Sequence, residues 1–246
     1  MEPLQYLQSE FDEFKATHPI QVFKGVNNTL EYLHCGTGSK TILLFHGLAG
    51  NAYSMYRFIL ALEKDFQIIC PTIPVVRGSM NNLYAEIELL LLELKVSPSV
   101  VMGGSFGGLV AQAFWYRNPT AIDCVILFDT LPPNKLMGRK NQKKLRILGL
   151  LPWFLLKPLF REKLLRLFKV TSKLSPKESA LLKFGKDQFF KRFKLLSKDL
   201  LLSHSNLSFD FMMNCQVPVL TQWKGKALVI YSQDDPAANN AAAWFK

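Results

Sequence analysis

One serine of this sequence stands among residues whose types suit covalent catalysis. The segment Gly103-Gly104-Ser105-Phe106-Gly107 follows the apolar run Ser99–Met102 and precedes Leu109–Phe114, which has the composition of a helix. A tight strand-to-helix turn needs small flanking residues, here Gly103 and Gly107. It would hold the serine hydroxyl at its tip as a nucleophile for acyl transfer. The alternative interpretation is a glycine-rich helix start without chemistry.

A second loop has the composition to stabilise the charge that such a reaction develops. Phe45-His46-Gly47-Leu48-Ala49-Gly50 follows the apolar run Thr41–Phe45. Acyl transfer builds an oxyanion, which a backbone N–H donor stabilises by about 3 kcal/mol. We predict that the amides of Leu48 and Phe106 are the two donors. Gly47 would let the loop approach the substrate, and His46 would shape the loop rather than act as the base. An ordinary strand-to-helix turn is the alternative.

The remaining sequence predicts the elements that position these two loops. Short apolar runs alternate with helical patterns, which predicts a mostly parallel sheet with helices on both faces. The predicted strands are Gln21–Val26, Leu30–Cys35, Thr41–Phe45, Phe66–Cys70, Ser99–Met102, Cys124–Phe128 and Ala227–Tyr231. We assign residues 1–132 and 211–246 to this α/β core. Residues 133–210 are helical, amphipathic and basic, and are predicted to form a cap over the carboxyl edge of the sheet.

The net charge of +11 originates in one segment. Residues 133–200 hold 19 Lys/Arg and four acids, a net charge of +15, whereas the other residues hold 11 Lys/Arg and 15 acids, a net charge of −4. A basic segment can meet phosphate, anionic lipid or an acidic substrate. We predict an anionic membrane surface as a partner of the cap and expect no nucleic acid. The alternative is a solvated helix face.

The cysteines and the apolar runs indicate the compartment. Four widely spaced cysteines form no CxxC pair, so neither a disulfide framework nor a zinc site is expected. The first residues lack the apolar stretch of a signal peptide. The longest apolar run, Ile147–Leu156, is about half the length of a membrane span. We therefore expect a cytoplasmic protein, peripheral at a membrane surface where the cap binds one.

These motifs in this order resemble the α/β-hydrolase fold superfamily. The likeness extends from about Gln21 onward. It rests on the His46-Gly47 loop, the Ser105 turn, the inserted cap and Ser232-Gln233-Asp234-Asp235-Pro236 after a strand. It implies that Asp235 is the catalytic acid, with Asp234 and Asp129 as alternatives. A second likeness, to the maspardin branch, rests on Ser54–Val76, Ala111–Phe114 and Leu151–Phe154. It implies a binding or adaptor protein.

The resemblance also implies a catalytic histidine after the acid, and this sequence has none there. Of its four histidines only His204 follows Ser105, and we expect His204 to be a surface or packing residue. The expectation is a truncated chain that lacks a C-terminal strand and helix. A natural member without the base, and His204 as the base, are the alternatives.

The predicted function is that of a serine hydrolase of the carboxylesterase or lipase kind. It would need no metal and no organic cofactor. A pocket under Trp153, Phe154 and Phe160 would take a small apolar or acyl substrate. The alternative function is that of a non-catalytic binding protein, which docks through its basic cap.

Overall fold

A seven-stranded sheet forms the centre of the part of the chain that the computed structural model describes, residues 2–168, 173–217 and 223–231. The strand order is β1-β2-β4-β3-β5-β6-β7; β1 and β2 run antiparallel to their neighbours, and the other pairs are parallel. The strands are β1 Gln21–Lys24, β2 Thr29–Cys35, β3 Thr41–Phe45, β4 Gln67–Pro71, β5 Val100–Gly104, β6 Cys124–Phe128 and β7 Lys226–Ile230. Each predicted strand overlaps an observed one, and the predicted fold class is confirmed.

Helices cover both faces of this sheet. They are α1 Pro3–Thr17, α2 Tyr56–Leu62, α3 Met80–Glu93, α4 Phe106–Arg117, α5 Lys135–Gly149, α6 Trp153–Leu165, α7 Pro176–Leu195 and α8 Lys198–Asn214, with 3-10 turns at Ala52–Met55 and Arg166–Phe168. Every residue of β3 and β5 is buried, which explains why these strands read as continuous apolar runs. Among the helices of the described ranges, none is long and apolar enough to cross a bilayer.

The register of the central strands brings the two predicted catalytic loops together. Phe45 lies opposite Gly103, and Gly104 lies opposite Phe128, so β3, β5 and β6 end at the same edge. In parallel sheets, binding sites form at the carboxyl ends of the strands. The loops that follow these three strands therefore meet at one place.

The basic segment folds as four helices, α5 to α8. Helix α7 begins with a capping box, in which the Ser175 hydroxyl accepts the Glu178 N–H and the Glu178 carboxylate accepts the Ser175 N–H. Helix α5 packs on α8, and α7 contacts α1 through a hydrogen bond of 3.0 Å from Gln188 to Gln8. Helix α8 continues past residue 210, and its Leu207 and Phe211 belong to the sheet core.

Candidate active site

Ser105 occupies the strained residue between β5 and α4. Its backbone lies at φ 51° and ψ −121°, a conformation that costs an L-residue about 1–2 kcal/mol. The Ser105 N–H donates to the Phe128 carbonyl at 3.0 Å, and the Thr130 hydroxyl donates to the Ser105 carbonyl at 2.8 Å. These bonds hold the turn while the serine itself remains exposed at the carboxyl edge of the sheet.

The glycines around Ser105 are required by close backbone approaches. A Cβ on Gly103 would collide with the Gly107 carbonyl, and a Cβ on Gly107 would collide with the Phe45 carbonyl. A Cβ on Gly104 would overlap the ring of Phe128. The turn can therefore form only because its flanking positions lack side chains.

Two backbone amides lie near the nucleophile. Phe106 is the first residue of α4, so its N–H has no acceptor within the helix, and the helix dipole adds positive potential there. Leu48 lies in a turn closed by a 3.0 Å hydrogen bond from the Gly50 N–H to the Gly47 carbonyl. A Cβ built on Gly47 would be 3.9 Å from the Ser105 Cβ, so this turn borders the serine. The predicted oxyanion hole requires amides at these two places, and their role there stays a prediction.

Arg192 of α7 holds the same turn, although its position in the sequence did not predict a role at this site. Ala49 has a left-handed backbone with φ 58°. From α7, Arg192 Nη2 donates to the Gly50 carbonyl at 3.1 Å, and Arg192 Nε donates to the Ala49 carbonyl at 3.4 Å. Burial lowers the pKa of the Arg192 guanidinium. No local pattern links residues 192 and 49, so only the fold reveals this contact.

His46 is buried and bonded on both ring nitrogens. Its Nε2 accepts the Ile73 N–H at 2.9 Å, so Nδ1 carries the proton and donates to the Gly47 carbonyl at 2.8 Å. Burial lowers the pKa of His46 to about 3. The neutral ring thus anchors the turn to the chain after β4, and it has no free nitrogen for proton transfer.

His204 is a packing residue of α8. It is fully buried, stacks on the Phe106 ring with centroids 4.7 Å apart, and Nε2 lies 3.0 Å from the Ile73 carbonyl. Burial lowers the pKa of His204 to about 4. Its Nδ1 has no hydrogen-bond partner among the described residues. The sequence alone did not indicate that this ring supports the residue after the nucleophile.

Of the three candidate acids, the structure describes Asp129. Asp235 and Asp234 lie outside the described residues. Asp129 directly follows β6, is exposed, and has a left-handed backbone with φ 45°. Its N–H donates to the Ile230 carbonyl at 2.9 Å. Asp129 therefore lies at the same sheet edge as Ser105, one strand away.

Helices α6 and α7 pack directly on the Gly47–Gly50 turn. Trp153 and Phe160 of α6 join a cluster of apolar side chains that includes Leu48 and Ala49. Phe154 instead points outward, with 73% of its surface exposed. The predicted substrate pocket under Trp153, Phe154 and Phe160 is therefore wrong for Phe154. Helical geometry explains this, because Trp153 and Leu156 point inward, and Phe154 between them lies on a different side of α6.

One group of possible metal ligands occurs in the described ranges, away from Ser105. The ligand atoms of His18, Cys35 and Glu63 lie within 4.8 Å of one another. His18 Nε2 and Glu63 Oε2 are 2.7 Å apart, which is a hydrogen bond in its own right. Cys35 pairs with the start of β4, so this group lies at the opposite edge of the sheet from the serine.

Comparisons with known proteins agree with this geometry. A family model described as alpha/beta hydrolase fold matches residues 40–245. The "Serine hydrolase-like protein" of Homo sapiens is 30% identical over 99 residues, which are 36% of this chain and 49% of that protein. The chain thus matches about half the length of this curated relative.

Solved structures share the fold at low sequence identity. A putative alpha/beta hydrolase from Nostoc sp. PCC 7120 superposes with a TM-score of 0.69 at 13% identity, covering 93% of this chain and 86% of that chain. A structure from a study of carboxylesterases of Nitrososphaera gargenis superposes with a TM-score of 0.64 at 17% identity, covering 91% and 84%.

Proposed function

Because the chain belongs to the alpha/beta hydrolase fold family, we propose that it is a serine hydrolase that cleaves a carboxylic ester or a similar acyl substrate. One observation carries the proposal: Ser105 is held at φ 51° on an exposed turn that borders the Gly47–Gly50 loop. A hydroxyl in this strained position suits nucleophilic attack on a carbonyl. The names of the human relative and of the archaeal carboxylesterases support the same reaction class.

The proposed reaction has two acyl-transfer steps. Ser105 Oγ bonds to the ester carbonyl carbon while a base takes its proton, and the amides of Leu48 and Phe106 stabilise the oxyanion. The C–O bond to the alcohol then breaks, and the alcohol leaves with the proton. Water attacks the acyl-serine in the same way, releases the acid and restores Ser105.

The acid of this proposal, Asp235, lies outside the described residues. Both ring nitrogens of His46 are bonded to backbone groups, and the His204 ring is buried against Phe106. We therefore propose that the base is a histidine other than these two, oriented by Asp235. Removing one member of such a triad costs several orders of magnitude in rate.

Labelling with a fluorophosphonate probe tests the nucleophile. The protein should react at Ser105, and Ser105→Ala should abolish labelling. Ser179→Ala is the matched control, because Ser179 is exposed on α7 and far along the chain from the turn. Equal labelling of Ser105→Ala and the parent would refute the assignment.

A second variant tests whether His204 is the base. His204→Gln keeps an N–H donor near the Ile73 carbonyl, and it should label as fast as the parent. Loss of labelling in this folded variant would instead make His204 the base.

The alternative function is that of a non-catalytic binding protein. It is favoured by the bonded, buried state of the two histidines nearest the Ser105 turn. Absence of probe labelling in the folded parent would support this alternative over the hydrolase.

A further inference from the structure

Helix α6 is apolar on two opposite sides, although only one of them is covered. Its inward side chains, among them Leu156 and Leu164, belong to the interior of the cap. On the outward side, Phe154, Leu155 and Leu159 are 73%, 49% and 57% exposed. Three large apolar side chains exposed along one side of a helix form a patch of the kind that a partner covers.

Helix α5 precedes α6 in the same segment, and its exposed side carries both apolar and basic residues. Leu136, Lys140, Lys143, Ile147 and Leu150 recur at helical spacing on the side opposite the buried Gly138 and Leu145. Ile147 and Leu150 are 69% and 84% exposed. Leucines and lysines thus share the solvent side of α5, as in helices that lie at a lipid–water interface.

Hydrogen bonds within the cap bring the end of α7 beside α6. Lys157 Nζ donates to the Lys194 carbonyl at 2.8 Å, and Lys198 Nζ donates to the Leu151 carbonyl at 2.9 Å. The Lys194 side chain borders the same groove as Phe154, and the neighbouring Leu195 is 86% exposed. We name these exposed residues of α5, α6 and the end of α7 together the apolar-basic face. It consists of Leu136, Lys140, Lys143, Ile147, Leu150, Phe154, Leu155, Leu159, Lys194 and Leu195.

We propose that the apolar-basic face docks on an anionic phospholipid surface. Residues 133–200 carry a net charge of +15, which complements anionic headgroups. The exposed leucines and phenylalanine would enter the boundary between headgroups and acyl chains, where apolar side chains are stabilised. A second copy of this chain would bring the same positive charge to the contact, and like charges disfavour that partner. The docking is independent of whether Ser105 is catalytic.

The structure also shows which basic residues are unsuitable for testing this proposal. Arg192 is bonded to the Ala49 and Gly50 carbonyls, and Lys157 and Lys198 hold the cap together. Replacing them would disturb the fold as well as the charge. Lys140, Lys143 and Lys194 are exposed and leave these bonds intact when changed.

Co-sedimentation with vesicles tests the charge. The parent should bind phosphatidylcholine vesicles that contain phosphatidylserine, and should bind pure phosphatidylcholine weakly. Lys140→Gln, Lys143→Gln and Lys194→Gln together should weaken binding about 100-fold at low salt. The matched control changes Lys177, Lys183 and Lys186 to Gln, which removes the same charge from exposed positions of α7 that precede Arg192. This control should bind close to the parent.

A second pair of variants tests the apolar contribution. Leu150→Ser with Phe154→Ser should weaken binding about tenfold or more, because both side chains would lose burial in the interface. Leu92→Ser is the control, since Leu92 of α3 is as exposed as Phe154, at 73%. All replaced side chains are exposed, so circular dichroism should show folded variants.

Three results would overturn the proposal. Equal binding to neutral and anionic vesicles would remove the role of charge. Equal loss in the test and control lysine variants would mean that no particular face docks. A loss in the lysine variant with none in Leu150→Ser and Phe154→Ser would show that the apolar side chains do not enter the bilayer, which contradicts docking through this face.

Discussion

Replacing Arg192 by Met should loosen the Gly47–Gly50 turn without unfolding the protein. The methionine keeps much of the apolar stem but cannot donate to the carbonyls of Ala49 and Gly50. A hydrogen bond from a charged group contributes about 1.5–3 kcal/mol when well formed. The 3.1 Å bond to Gly50 fits this description, whereas the 3.4 Å bond to Ala49 is long. A loss of about 1.5 kcal/mol for local opening of the turn is therefore expected.

Amide hydrogen exchange measures this opening directly. The Gly50 N–H is bonded to the Gly47 carbonyl, so it exchanges only when the turn opens. A loss of about 1.5 kcal/mol should raise its exchange rate about tenfold, since about 1.4 kcal/mol corresponds to a factor of ten. The left-handed backbone of Ala49, at φ 58°, would favour relaxation once its restraint is removed.

Lys191→Met provides the matched control, because Lys191 is the exposed neighbour of Arg192. It should leave Gly50 exchange unchanged. If Arg192→Met also left it unchanged while remaining folded, the guanidinium would not hold the turn. If the proposed hydrolase activity is correct, fluorophosphonate labelling of Ser105 should slow in Arg192→Met but not in Lys191→Met.

Three further predictions concern stability. Gly107→Ala should destabilise the fold by about 2–3 kcal/mol, because its Cβ would collide with the Phe45 carbonyl. Gly185→Ala, with open space around it in a helix, should stabilise by up to about 1 kcal/mol, and chemical denaturation measures both. The free energy of unfolding should also decrease as the pH is lowered from about 6.5 to about 4. In the folded protein, His46 and His204 have pKa values of about 3 and about 4 and stay neutral in this range, whereas in the unfolded chain both rings bind protons. Denaturation of His204→Gln across this range should show a shallower slope, and an unchanged slope would contradict the assignment.

Local residue patterns were sufficient to predict the sheet and the turn that carries Ser105. The continuous apolar runs Thr41–Phe45 and Ser99–Met102 correspond to β3 and β5, because strands covered on both faces need apolar side chains throughout. At Gly103 the steric limit comes from the Gly107 carbonyl, which is close in sequence, whereas at Gly107 it comes from the Phe45 carbonyl of β3. A short-range constraint such as the one at Gly103 can be predicted from residue type and spacing.

The cap shows where local patterns stop being informative. Its helical spacing correctly placed Trp153 and Phe160 inward, but Phe154, equally apolar, faces solvent. Hydrophobicity alone does not distinguish a buried side chain from a solvent-exposed one. Which side of a helix is buried depends on where the whole helix packs in the fold. The sequence therefore indicated an amphipathic basic segment, while its outward apolar side became visible only in three dimensions.

The sequence by itself determined which residues of chemical interest are present: a serine on a glycine-flanked turn, a second glycine-containing loop, and a basic helical segment. The tertiary structure decided which distant groups hold that chemistry in place. Arg192 reaches the Gly50 carbonyl across 142 residues, and His204 reaches the Ile73 carbonyl across 131. Contacts at such separations leave no periodic trace in the chain, because they arise when independently formed helices and strands pack together.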